Sequence, residues 1–291
     1  MTEPSAAHLQ AVGAPADPAS EIGVLEARLA EARRRLDQAR LASLALTGPI
    51  QPRPGHLRAE APASPAQEQL WFLERFAPGL RAYNIPFGLR LRGTLDVAAL
   101  ERSLSRILAR HEALRTSFLA RSTGPVQVIS PAVPVRLAEP TPVTQATLAA
   151  HLDAEARAPF DLTRGPLIRF GLLRLALDDH VLTATMHHIC SDGWSASLLL
   201  TELTELYAAD VEGRDPELPE LPLQYADFAV WQRDRLAAGV LEGHLRYWEQ
   251  QLTALPTLEF PTDRPRPPAP SFDGSVINQL RRLRARLAAP A

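Results

Sequence analysis

Residues 187 to 193 read His-His-Ile-Cys-Ser-Asp-Gly, placing two imidazoles and a carboxylate in one short span. Such a set can abstract a proton, orient the abstracting base and stabilise developing charge. The preceding run, Val181-Leu-Thr-Ala-Thr-Met186, alternates strictly and predicts a β-strand over Val181 to His188. Period two then sets His188 on one face with Leu182, Ala184 and Met186, aimed into an apolar interior, and His187 on the other with Val181, Thr183 and Thr185. A helix starting near Trp194 or Ser195 turns its unpaired amides back on the site, and its positive end favours the neutral, basic imidazole at His188 that proton abstraction needs. Asp192, in the intervening turn, has several roles open to it: helix N-cap, orienter of an imidazole, or partner of a buried cation. Arg115 is the candidate cation. Strand alternation through Ala113-Leu-Arg-Thr-Ser-Phe118 sets it opposite to Leu114, Thr116 and Phe118, and an arginine held between apolar neighbours needs a carboxylate.

Other chemistries fit less well. Neighbouring residues of a strand face opposite ways, so His187, His188 and Asp192 do not readily share a metal ion. The chain has no G-x-S-x-G elbow for a nucleophilic serine, and Ser191 and Ser195 read as turn and cap residues. Cys190 is the only cysteine; nothing specifically activates it, and it reads as a small turn residue. A lone cysteine forms no internal disulfide, which fits a reducing compartment and predicts a cytoplasmic protein. A formal charge of −2, with no basic cluster interleaved with aromatics, argues against nucleic acid as a partner. Glu3, Asp17 and Glu21 interrupt the N-terminal region, which lacks the apolar run of a signal peptide or membrane span. With 46% hydrophobic residues over 291, the chain can bury one large or two modest cores.

The elements that must position the histidines are legible in the pattern. Residues 1 to about 19 are rich in alanine and proline and predict a disordered lead-in. An amphipathic helix over 21–46 follows, capped by Asp17-Pro18, with Leu25, Leu29, Ala32, Leu36 and Ala39 forming a narrow seam that suits either docking to another protein chain or packing on the domain behind it. Proline and glycine at 49, 52, 54 and 55 separate it from a mixed α and β body. There, Ser64-Pro65 opens a helix, a strand runs over Phe87 to Arg92, and Asp96 caps a helix burying Leu100, Leu104, Ile107 and Leu108. One hairpin joins Ala113–Leu119 to Val126–Ile129, and a second joins Leu167–Ala176 to Val181–His188. Helices follow through Leu199, Leu203 and Leu206, at about 224 to 238, and at 242 to 254. This order predicts a two-layer α/β sandwich with the helices on one side, preceded by the N-terminal helix. Six prolines between 256 and 270 make an extended crossover, and Val276 to Ala291 begin another amphipathic element. The expected domains are thus residues 1–60, 61–265 and 266–291.

Taken together, Ser64-Pro-Ala-Gln-Glu-Gln-Leu-Trp-Phe-Leu73, Arg110-His-Glu-Ala-Leu-Arg-Thr-Ser-Phe118, Met186-His-His-Ile-Cys-Ser-Asp-Gly-Trp-Ser195 and Tyr225-Ala-Asp-Phe-Ala-Val-Trp231 resemble the first four signature motifs, in order, of condensation domains of non-ribosomal peptide synthetases. Ala82-Tyr-Asn-Ile-Pro86 and the Asp-Gly-Trp-Ser form resemble the subtype that joins an L-configured donor to an L-configured acceptor, and starter domains look similar. The resemblance implies one lobe of a chloramphenicol acetyltransferase-like fold. It implies an acyltransferase that forms an amide between an acyl or peptidyl thioester and the amine of an aminoacyl thioester, both delivered on phosphopantetheine arms of donor and acceptor carrier proteins, with no cofactor bound directly. An adenylation domain or neighbouring synthetase modules are the implied partners. His188 matches the reactive histidine, Asp192 a structural aspartate paired with Arg115, and Gly193 a backbone amide near the oxyanion, while His187 supports the strand end. Tyr225, Asp227, Phe228 and Trp231 are read as packing and helix-placing residues, with direct contact to substrate the alternative. If Asp192 pairs with Arg115, Asp192→Ala costs roughly 3–5 kcal/mol. The family's histidine lies in a tunnel between two lobes and the later motifs are absent here, so the expectation is an N-terminal lobe, weakly active or inactive alone. The rival readings are an acyltransferase of the same architecture using a soluble thioester, and a non-catalytic docking module.

Overall fold

A computed structural model describes residues 31, 48–79, 81–237, 239–256 and 265. The chain divides after Pro49 into two units, and of the first only Glu31, which is helical, Gly48 and Pro49 are described. The expected lead-in, the remainder of the 21–46 helix and the 266–291 segment lie outside the described residues. The second unit, Ile50–Ala291, carries the elements that follow.

Its strands are β1 (Glu60–Pro62), β2 (Asn84–Arg92), β3 (Thr116–Arg121), β4 (Gly124–Ile129), β5 (Thr141–Pro142), β6 (Ile168–Ala176) and β7 (Asp179–His187). They form two sheets, ordered β1-β4-β3 and β2-β7-β6-β5, antiparallel except for the β5–β6 pair. Its helices are α1 (Pro65–Phe76), α2 (Val97–Arg110), α3 (Gln145–Arg157), α4 (Gly193–Glu212), α5 (Tyr225–Ala237) and α6 (Glu242–Gln251). The helix starts follow from the capping chemistry. Ser64 and Gln67 form a reciprocal capping box with Pro65 at the first turn of α1, and Asp96 accepts from the Ala99 amide at the start of α2. At the other end of α4, Gly213 takes the left-handed conformation that releases the chain.

The main core lies between α2 and α4 and one face of the larger sheet: Leu100, Leu104, Leu203 and Leu206 pack on Leu172, Leu182 and Met186. Burying each such side chain contributes about 1.5–3 kcal/mol. Helices are not confined to that side. Helix α3 covers the opposite face, where Leu148 meets Val143, Leu173 and Val181. As a result β7 is enclosed on both faces, and even Thr183 and Thr185 are buried. Alternation identified this strand, but polarity did not report which face met water, because neither does.

Strand boundaries differ from expectation at several ends: β2 begins at Asn84 rather than Phe87, and β7 runs Asp179–His187 rather than Val181–His188. Residues Glu112–Arg115 form a 3-10 turn and the strand begins at Thr116. Among the described residues no helix is long and apolar enough to cross a membrane.

Candidate active site

The site is the place where β7 stops. Its ladder with β2 ends at the pair Asn84–His187, and the chain then turns through residues 188 to 190. His187 is 2% exposed, and its Nδ1 accepts from the Ile189 amide at 3.1 Å. Burial, with a smaller contribution from neighbouring His188, lowers its pKa from 6.5 to about 4. The unfolded chain therefore takes up a proton near pH 6.5 that the folded chain refuses until about pH 4. His187's contribution to stability is full above pH 6.5 and is lost as pH falls from there toward 4, by about 3 kcal/mol in all. A plot of melting temperature against pH is expected to show this acid limb, and His187→Gln to flatten it.

His188 is the exposed member of the pair. This reverses the expected inward aim. The strand ends one residue earlier than predicted, so period two no longer governs position 188, and the residue is held by its backbone instead. Its amide donates to the Tyr83 carbonyl at 2.8 Å, and its ring meets the Tyr83 ring edge-on at 6.5 Å between centroids. The start of α4 is also open and apolar in part: Trp194 is 84% exposed and Leu198 44%.

Asp192 takes the first of the roles left open for it. It is the N-cap of α4, its Oδ1 accepting from the Ser195 amide at 2.8 Å and the Ser195 hydroxyl at 2.6 Å. Those bonds hold its carboxyl below the usual carboxylate range, with His188 a lesser contributor. The expected Asp192–Arg115 pair is absent. Arg115, lying in the 3-10 turn rather than on a strand face, donates to the Ser130 carbonyl and sits 3.8 Å from Glu112. Losing Asp192 therefore removes a cap and strands no buried charge. Asp192→Ala is expected to cost about 1 kcal/mol in denaturant unfolding, and the same amount in an Arg115→Ala background.

Gly193 opens α4, and a Cβ built there meets nothing within 4 Å, so packing among the described residues does not require glycine. Cys190 is a turn residue as expected: its thiol contacts the His187 carbonyl at 3.1 Å, and burial pushes it up from 9.0 to about 12. Among the described residues no group of three or more histidine, cysteine or acidic side chains could hold a metal ion.

The motifs converge through polar side chains that local pattern did not single out. Gln67, buried in α1, donates to the Ile189 carbonyl at 3.3 Å and to Gln127 at 3.2 Å, tying the first motif to the histidine turn. Glu202 of α4 accepts from Arg110 at 3.2 Å and meets His111 Nε2 at 2.6 Å, anchoring the helix that begins at the site. Arg53 enters from outside all four motifs. Its guanidinium donates to Asp227 at 2.7 Å, Glu112 at 2.6 Å and the carbonyls of Leu57 and Arg58 at 2.8 and 3.0 Å. Asp227 thus has an electrostatic role beyond packing. Burial pushes its pKa up, but the amides of Gln224 and Arg53 and the Arg53 side chain outweigh that and hold it below its ordinary value. The remaining aromatic residues of the fourth motif pack on one another: Phe228 lies at a tilt to both Tyr225 and Trp231, with ring centroids 5.6 and 5.7 Å away.

The described unit is thus an α/β lobe that exposes a histidine at a strand end, beside a capped helix start. The chain belongs to the condensation-domain family of non-ribosomal peptide synthetases: the Condensation domain model matches residues 58–283. One of the linear gramicidin synthase polypeptides of Brevibacillus parabrevis is 47% identical over 222 residues, spanning 74% of this chain and 3% of that protein. Chondramide synthase cmdD of Chondromyces crocatus is 43% identical over 229 residues, 77% of this chain and 6% of its own length. Among solved structures, the X-domain in complex with OxyB from teicoplanin biosynthesis matches with a TM-score of 0.67 at 35% identity, over 76% of this chain and 49% of that one. The starter condensation domain of rhizomide synthetase RzmA shares the fold, with a TM-score of 0.58 at 23% identity over 68% of this chain and 48% of its own. The chain spans a few per cent of these curated relatives and about half of the solved chains.

Proposed function

We propose that this lobe supplies the histidine of an amide-forming acyl transfer between two thioesters carried on phosphopantetheine arms, the donor on one carrier protein and the acceptor on another. The observation that carries the reading is His188, fixed by its backbone at the end of β7 and presented outward beside the start of α4. In this reading the exposed imidazole accepts a proton from the attacking amine or hydrogen-bonds it. The Gly193 amide at the helix start is available to the oxyanion, and Arg115 belongs to the scaffold of the second motif. A ring open to bulk water on one side does not make a tunnel, so the reading requires a facing half of the fold to close over His188 and Trp194. Matches that cover about half of each solved chain support that requirement.

The test is amide formation with purified carriers. A protein containing both halves is expected to consume carrier-bound donors and to leave free coenzyme A thioesters untouched; the reverse preference would favour a soluble-substrate acyltransferase. A measurable rate from residues 1–291 alone would contradict the need for the second half. A second reading, a docking module, is favoured by the 35% identity to an X-domain solved with OxyB. It predicts that His188→Ala leaves partner capture unchanged and that no amide forms in any background.

A further inference from the structure

The buried histidine of the pair has no task in this chemistry, yet its ring is held at one nitrogen and stranded at the other. Because Nδ1 accepts from the Ile189 amide, the neutral ring carries its proton on Nε2, and Nε2 is buried without a hydrogen-bond partner among the described residues. Directly across the ladder stands Asn84. Opposed residues of an antiparallel pair project from the same face, with Cβ atoms about 4.5–5.5 Å apart. The Asn84 amide has one sensible orientation. Its Nδ2 donates to the Ala156 and Ala158 carbonyls at 2.7 and 2.9 Å, and a flipped amide would press its oxygen on both. Its Oδ1 is then a buried acceptor, also without a partner among the described residues. A stranded donor and a stranded acceptor therefore sit on facing residues, one residue before His188.

We propose that Asn84 and His187 form a positioning pair, in which Nε2–H of His187 reaches Oδ1 of Asn84 through a single bridging water and is thereby locked as the Nε2-protonated tautomer. The lock leaves Nδ1 free of a proton to hold the Ile189 amide. His188 is consequently fixed from both sides: Ile189 is pinned by His187, and the His188 amide is pinned by Tyr83, the residue before Asn84. Aromatic rings enclose His187. Tyr83 lies 6.3 Å away between ring centroids, and Phe160 packs edge-on at 6.0 Å. Arg169 of β6 lies over the Phe160 ring, 3.8 Å from its centroid, and Glu155 of α3 acts on Arg169; the Cys190 thiol contacts the His187 carbonyl at 3.1 Å, and His188 adjoins in sequence.

The functional consequence rests on the proposed role of His188, but the pair itself is tested without activity. In NMR of this chain with labelled histidine, His187 is expected as the Nε2–H tautomer at neutral pH, with a cross-peak from that proton to a long-lived water. An Nδ1–H tautomer, or no water contact, would overturn the pair. Asn84→Asp sets a carboxylate at the same place and is expected to raise the His187 titration midpoint by roughly 1–3 pH units; an unmoved midpoint in the folded variant would overturn it too. Should that variant fail to fold, the wild-type tautomer still decides. In a protein with both halves, the acid limb of kcat is expected to move upward with the midpoint, since a proton on Nδ1 breaks the bond from Ile189. His188→Ala tests the function alone, so the two readings fail separately.

Discussion

Alanine at position 188, in a protein carrying both halves of the fold, is expected to cut amide formation about 10²–10⁴-fold, the range typical for loss of a positioned general base. Melting temperature is expected to stay where it was, because the side chain is exposed and its backbone anchor to Tyr83 does not depend on it. His187→Ala provides the contrast. That ring is 2% exposed and supports the turn through Ile189, so its loss is expected to lower stability as well as rate. Measuring both variants in single-turnover assays and in thermal melts separates the residue that reacts from the one that holds. An unchanged rate for His188→Ala would remove the catalytic reading and leave the docking one.

Replacing Arg53 with alanine is expected to be the most damaging single change to the scaffold, costing roughly 3–5 kcal/mol. The Arg53 side chain is 6% exposed and the Asp227 side chain 5%, so the variant leaves a carboxylate buried without its counter-charge. Glu112 loses the same partner at 2.6 Å, and the carbonyls of Leu57 and Arg58 lose donors. Lysine is not an adequate substitute, since one ammonium cannot reach in the four directions that the planar guanidinium serves. Urea unfolding of Arg53→Ala, Asp227→Ala and the double variant is the measurement. The two losses are expected to be strongly non-additive. Additive, small effects would mean that the segment before residue 58 is not stapled to the second and fourth motifs.

The sequence alone determined the element types around the site. Alternation marks β7, Ser64 and Asp96 mark helix starts, and the leucine spacing after Asp192 marks α4; each of these signals is local, so each is readable without neighbours. The order of the four motifs likewise points to the family without any tertiary contact. What pattern could not supply was which of two adjacent imidazoles is buried, because β7 has helices on both faces and the ladder stops at His187. Nor could it supply charge partners. Strand alternation sets Arg115 apart from its apolar neighbours and the family resemblance pairs it with Asp192, but a 3-10 turn sends it to Ser130 and Glu112 instead. Arg53, between two prolines in what reads as a linker, carries no local sign that Asp227 and Glu112 will close around it. A hydrogen bond between residues 174 positions apart is a property of the packed molecule, decided only when every donor buried at once must find an acceptor.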